Sequence, residues 1–147
     1  MSERIYLLPK GSSCYKANLH CHTTFSDGKL TPEEVKKAYG EQGYSVVAYT
    51  DHRSYHWHKE LTDEKFLALA AMEVDINEHY KVSGDFSGVR TYHINLYDST
   101  PEKFQKEKAG GLLPERRYND KEYINEYIDV MKEYGFFACY NHPYWSL

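Results

Sequence analysis

The run Ser45-Val46-Val47-Ala48-Tyr49-Thr50, followed at once by Asp51-His52, constrains the fold more than any other feature of the sequence. It holds no charge and is rich in β-branched and aromatic side chains. Such a run suits a strand buried on both faces, and strands of that kind belong to parallel sheets covered by helices. It breaks off on an acid and a histidine. In α/β barrels the functional side chains gather at the C-terminal ends of the strands, so Asp51 and His52 stand where chemistry is expected. Two further apolar runs end similarly. Leu67–Val74 (LALAAMEV) reaches Glu73 near its end, and Phe136–Tyr140 (FFACY) runs into Asn141-His142-Pro143, where the proline fixes the turn.

Between these runs the pattern alternates. A first strand is expected over Tyr15–His22, closed by the turn Ser26-Asp27-Gly28. A helix then starts on Thr31 as N-cap, with Pro32 at the first helical position and Glu34 completing a capping box. Val35, Ala38 and Tyr39 form its apolar face, and Gly40 and Gly43 end it. Thr62–Leu69 reads as a short helix feeding the strand around Leu67–Val74, and Tyr92–Tyr97 as another strand. Gly110–Pro114 reads as a loop. Over Asn119–Tyr134, Ile124, Tyr127, Ile128 and Met131 recur at helical spacing, with Asn119 and Glu122 able to cap the start and Gly135 to end it. The alternation predicts an α/β fold with about five parallel strands. The 147 residues suffice for one core and not for two, so residues 1–147 are read as a single domain.

Composition removes several classes of function. The formal charge is −4, and the basic pairs Arg116-Arg117 and Lys106/Lys108 sit beside acids, so nucleic acid is not indicated as a partner. No run approaches the roughly 18 apolar residues of a membrane span, and Met1-Ser2-Glu3-Arg4 does not open a signal peptide. Cys14, Cys21 and Cys139 are odd in number and form no CxxC, which argues against a disulfide framework and a thiolate zinc site. The expected compartment is the cytoplasm.

The eight histidines carry the chemistry. In Asn18-Leu19-His20-Cys21-His22 the two histidines fall on one face of a strand, with Cys21 on the other, which makes a chelating pair. His52, Glu73 and His142 each lie near the downstream end of an expected strand, with His93 and Asp27 close by. A carboxylate leaving an apolar strand, as Glu73 does, needs a partner or a metal. Unrelated histidines would not sort to one edge of a sheet. Imidazole and carboxylate ligands without thiolate suit Zn²⁺, Mn²⁺ or Fe. Seven candidates, His20, His22, Asp27, His52, Glu73, His93 and His142, exceed one four-coordinate ion, so two or three divalent metals sharing a bridging carboxylate are expected. Asp51 is placed to orient the His52 ring or a neighbouring ligand, and Arg53 to contact a phosphate. His56-Trp57-His58 reads as loop without a metal role, and His79 as a surface residue.

At this point the motifs resemble a known family. His20-Cys21-His22-Thr23-Thr24-Phe25-Ser26-Asp27-Gly28 looks like the first motif of the PHP (polymerase and histidinol phosphatase) domain family. Thr50-Asp51-His52 resembles its second motif, Met72-Glu73-Val74 stands in the place of its glutamate, and Asn141-His142-Pro143 resembles its later histidine motif. The match runs from about residue 16 to 145 in the family's order. It implies a distorted TIM-like (β/α)₇ barrel with a trinuclear metal centre and phosphoesterase activity on monoesters or diesters. By motif position His20, His22 and Glu73 would hold one metal. Glu73 would bridge to a second, held also by His93 and His142, and Asp27 and His52 would hold the third. The family's late Asp-x-His motif has no counterpart up to Leu147, so the barrel is read as incomplete in this chain. A C-terminal segment or an oligomer is expected to complete it. The expected substrate is a small phosphorylated molecule, with Glu73 and His52 the central catalytic groups and His52 or a water handling the proton. The alternatives are an amidohydrolase-type enzyme cleaving C–N bonds, which also opens with HxH, and a metal-binding domain without catalysis.

Overall fold

The computed structural model of the chain describes residues 11–78, 90–101, 113–114, 118–119 and 121–143. The elements follow in the order β1 (Ala17–Cys21), α1 (Pro32–Glu41), β2 (Val46–Tyr49), a 3₁₀ turn (Lys59–Leu61), β3 (Leu67–Glu78), β4 (Arg90–Asp98), β5 (Tyr118–Asn119), α2 (Lys121–Glu133) and β6 (Phe136–Tyr140). His79, Lys106, Lys108, Arg116 and Arg117 lie outside the described residues, as does most of the expected loop at 110–114. The strands form one mixed sheet in the order β1-β2-β3-β4-β6, with β5 beside the far end of β3.

The pairs β1–β2 and β2–β3 are parallel, and α1 supplies the crossover that a parallel neighbour needs. The expectation of an all-parallel sheet is corrected at β4, which runs antiparallel to both β3 and β6. Only residues 79–89 separate β3 from β4, fewer than the dozen or more that a parallel crossover takes. The reversal matters for the site, because it brings a residue early in β4, His93, alongside Asp75 of β3.

The twelve residues of β3 organise both layers. Side chains alternate faces along a strand. Ala70, Met72, Val74 and Ile76 join Ile94, Leu96, Phe136 and the α2 residues Tyr127 and Met131 in one core. Ala68 joins Val35 of α1, Val47, Tyr49, Leu61 and Phe66 in a second. The other face of β3 carries Ala71, Glu73 and Asp75. Cross-strand partners share a face, so Asn95 and His93 of β4 stand beside Glu73 and Asp75. On this face Tyr97 Oη donates to the Leu19 carbonyl of β1 at 2.8 Å. A flat sheet would hold β1 and β4 roughly 14 Å apart at about 4.8 Å per strand step, so the sheet is strongly curled around this face.

The helices form where the caps direct. Glu34 N–H donates to Thr31 Oγ1 at 3.3 Å and Thr31 N–H to Glu34 Oε2 at 2.9 Å, which completes the capping box. Past the helix, Gly43 adopts φ +77, a left-handed conformation that glycine takes without a Cβ penalty. Helix α2 begins at Lys121, because Asn119 belongs to β5. The helix expected over Thr62–Leu69 is corrected. Asp63 Oδ1 accepts from Lys65 N–H and Phe66 N–H, and Thr62 Oγ1 from Ala68 N–H. These bonds offer the backbone an alternative to helix, and the chain enters β3 at Leu67. No helix among the described residues is long and apolar enough to cross a membrane.

The capping box gives a quantitative expectation. Thr31→Ala leaves helix donors unsatisfied and lowers stability by about 1 kcal/mol, read as a lowered urea midpoint at unchanged slope. An unchanged midpoint would show that α1 is held by packing alone.

Candidate metal centre

An extra residue in β1 aims the histidine pair. β1 pairs Asn18 with Val47, but its next partner, Tyr49, meets Cys21 across a register shift. A bulge of this kind re-aims the side chains that follow it. Asn18 donates to Tyr39 Oη of α1 at 2.7 Å, and Cys21 lies in the core that Tyr39 packs against. His20 and His22 are thereby left on the curled face, where both reach Glu73.

Glu73 is the centre of the arrangement. Its side chain is 1% exposed, and its two oxygens divide the neighbouring groups. Oε2 lies 3.1 Å from His20 Nε2, 3.1 Å from His22 Nε2 and 3.4 Å from His52 Nδ1. Oε1 lies 3.0 Å from His93 Nδ1 and 3.6 Å from His142 Nε2, and accepts from Asn141 Nδ2 at 2.9 Å. Burial pushes its carboxyl upward, but the bonds from His20, His22, His93 and Asn141 outweigh this and hold it well below the usual carboxylate range. In return the Glu73 carboxylate raises His22 and His93 above an ordinary imidazole. Burial lowers His52.

A second carboxylate stands beside this cluster. Asp27 Oδ1 is 3.4 Å from His22 Nδ1, and Oδ2 is 3.7 Å from His52 Nε2. Its turn is tightly specified. Asp51, 1% exposed, accepts from Thr23 N–H at 2.7 Å, Thr23 Oγ1 at 2.8 Å and Ser26 Oγ at 2.8 Å. Asp51 therefore holds the loop that carries Asp27. Gly28 closes that loop by donating to the Thr23 carbonyl at 2.9 Å. A Cβ on Gly28 would lie 2.3 Å from the His22 carbonyl oxygen, so only glycine fits.

All seven sequence-derived candidates thus converge on one face. Three groups have donor atoms close enough to share an ion: His20-His22-Glu73, His22-Asp27-His52 and His52-Glu73-His93. His142 borders the cluster outside these groups and adopts φ +27. The donor set fits divalent cations. The Nε2 atoms of His20 and His22 lie 2.9 Å apart, a separation at which two imidazole lone pairs need a proton or a cation between them. The ligands are imidazole and carboxylate, which suit Zn²⁺, Mn²⁺ and Fe alike.

Other expectations resolve differently. Arg53, at φ +52, donates its backbone N–H to the Glu73 carbonyl at 2.7 Å. Its guanidinium, expected to meet phosphate, is 11% exposed and engages Asp75 Oδ1 at 3.1 Å and the Pro114 carbonyl. A phosphate contact would require these bonds to be given up. His56 and His58 lie outside the three groups, stacked on one another and tilted against Phe25 at centroid distances of 4.2 and 5.7 Å. Asn95, Tyr97 and the Asn141 side chain join the site without having been singled out as site residues in the sequence. The period-2 alternation of His93, Asn95 and Tyr97 against Tyr92, Ile94 and Leu96 was the available signal.

Removing the loop's anchor tests this geometry. Asp51→Ala strands three donors and is expected to cost on the order of 2–4 kcal/mol, measured by denaturant titration. Unchanged stability would mean that the turn is held without it.

A family model of the PHP domain matches residues 18–136. A 5'-3' exoribonuclease of Haemophilus influenzae is 33% identical over 100 residues, covering 64% of this chain and 35% of the relative. The DNA polymerase/3'-5' exonuclease PolX of Bacillus subtilis is 39% identical over 54 residues, covering 37% of this chain and 9% of the relative. The chain therefore spans about a third or less of the length of these relatives. Among solved structures, a two-domain Bacteroides vulgatus protein containing a predicted PHP-like metal-dependent phosphoesterase aligns at TM-score 0.46 and 21% identity, over 89% of this chain and 36% of the other. With the family match spanning most of its length, the chain belongs to the PHP domain family.

Proposed function

We propose that this chain carries the metal centre of a PHP-type phosphoesterase, a hydrolase of phosphate esters. The observation that supports this reading most is the division of Glu73, with three histidines around Oε2 and two histidines and an amide around Oε1. A carboxylate so placed suits a bridge between two ions, and Asp27 with His22 and His52 suits a third. Zinc, manganese or iron bound there would supply Lewis-acid charge for a phosphoryl oxygen and an activated water. The chain's part is to orient. Glu73 would set the spacing of the ions, Asp51 holds the Asp27 loop in register, and a water, or His52 through a ring nitrogen that no ion takes, would handle the proton. Phosphoryl transfer asks mainly for such positioning and charge neutralisation.

The same reading takes the curled sheet as part of a distorted TIM-like (β/α)₇ barrel. Phe137 and Cys139 support it, because they share the Glu73 face at the outer strand and are exposed, Phe137 by 69%. A further segment or a second copy would cover them. The substrate is proposed to be a small phosphorylated molecule in the cytoplasm. Both curated relatives are named as exonucleases, which brings a nucleotide diester into the substrate panel.

The test is a panel of phosphomonoesters, phosphodiesters and carboxamides with manganese-loaded, zinc-loaded and chelated protein. Phosphate-ester turnover is expected to vanish on chelation and return with metal. Glu73→Gln should cost more than about 100-fold, the upper range for losing a group that merely supports a ligand. Cleavage of amides alone, or metal binding with no turnover of any ester, would overturn the reading.

A further inference from the structure

Behind Glu73 runs a chain of side-chain hydrogen bonds that no metal ligand explains. It starts at the Leu19 carbonyl of β1, which can only accept. Asn95 Nδ2 donates to it at 3.3 Å and to Tyr97 Oη at 3.1 Å, and Tyr97 donates its own proton to the same carbonyl at 2.8 Å. With both Asn95 protons spent in this direction, its Oδ1 must face the other way. There it accepts from Asn141 Nδ2 at 2.8 Å. The second proton of Asn141 Nδ2 goes to Glu73 Oε1 at 2.9 Å. Asn95 is 0% and Asn141 8% exposed, so water offers little competition.

The acceptors at the two ends, the Leu19 carbonyl and the Glu73 carboxylate, fix the direction of every bond. Reversing Asn95 would set its carbonyl oxygen against the Leu19 carbonyl, and reversing Asn141 would set its oxygen against a carboxylate. Buried amides resist both, because each reversal leaves polar groups unpaired. The carbonyl one residue before His20 and the Glu73 carboxylate thus demand the same orientation of both amides, with Asn141 Nδ2 donating to Oε1.

We infer that Asn95, Tyr97 and Asn141 are positioning residues: a one-way relay that fixes the rotation of the Glu73 carboxylate and aims Oε1 at the His93–His142 half of the centre. The inference rests on the proposed metal cluster. One lone pair of Oε1 is taken by the amide, which leaves the other for an ion on the His93 side. The relay also ties the strand carrying His20 and His22 to the opposite oxygen of the carboxylate they share, so the two halves are set against one another through β1, β4 and the end of β6.

The experiment is a manganese titration of metal-free protein, followed calorimetrically and by electron paramagnetic resonance. His142→Ala marks the step belonging to the Oε1 half and His22→Ala the step belonging to the Oε2 half. Asn95→Leu is expected to weaken the His142-dependent step by about 10–100-fold, the usual effect of losing a group that supports a ligand, and to move the His22-dependent step much less. Tyr97→Phe, which removes one oxygen, should shift the same step in the same direction by a smaller factor. Equal weakening of both steps, or no change in either, overturns the relay. A second readout needs no metal: the side-chain ¹⁵N–H₂ resonances of Asn141 in metal-free protein should move in Asn95→Leu and in Tyr97→Phe. If wild-type protein binds no ion, the metal-cluster reading fails by itself. The relay is then judged on these resonances, and an Asn141 signal unaffected by both variants contradicts it.

Discussion

A carboxylate buried to 1% exposure in the middle of a β-strand is the constraint that the rest of this molecule answers. Taking such a charge out of water costs several kcal/mol unless donors or cations surround it. Glu73 is met from four directions: by His20 and His22 from β1, His52 from the end of β2, His93 from β4, and Asn141 and His142 from the end of β6. β4 runs antiparallel to its neighbours and β1 carries an extra residue, while Arg53 and His142 take left-handed backbone conformations beside the cluster. Strain of that kind costs roughly 1–3 kcal/mol per residue and persists where the surroundings over-determine it.

The two faces of β3 separate stability from chemistry. Met72, Val74 and Ile76 bury themselves against α2, while Ala71, Glu73 and Asp75 line the curled face. Because the faces alternate, a one-residue slip in register would bury Met72 in the histidine cluster and drive Glu73 into the core. Register is therefore specified twice, by apolar packing and by the bonds to Glu73. The Asp27 loop has a similar double specification, from Asp51 and from the space that only Gly28 fits.

Much of this was legible before the fold was known. The capping box at Thr31 and Glu34 and the strand at Phe136–Tyr140 appear as read. Local signals carry them, namely cap chemistry and a bounded apolar run. Of the seven candidate ligands, His22, His52 and His142 lie just past strand ends as read, whereas Glu73 sits mid-way along β3 and His93 near the start of β4, and the pairing of β3 with β4 and the curl of the sheet bring them together. What was not legible depends on partners distant in sequence. The direction of β4 follows from the connection that precedes it, and β3 extends to Glu78 because β4 pairs along it. Asn95 and Tyr97 acquire meaning only from the Leu19 carbonyl across the curled sheet. Arg53 looked available for phosphate because nothing in the sequence places Asp75 and Pro114 beside it. The helix misread over Thr62–Leu69 reflects a pattern in which Thr62 and Asp63 bond to the backbone.

Under the proposed function, Glu73 would bridge ions held by the surrounding histidines. Elemental analysis of freshly purified protein, beside His22→Ala, tests it most directly. Two or three zinc, manganese or iron ions per chain are expected, with at least one lost in the variant. One ion or none in the wild type, or a stoichiometry indifferent to His22, would contradict it.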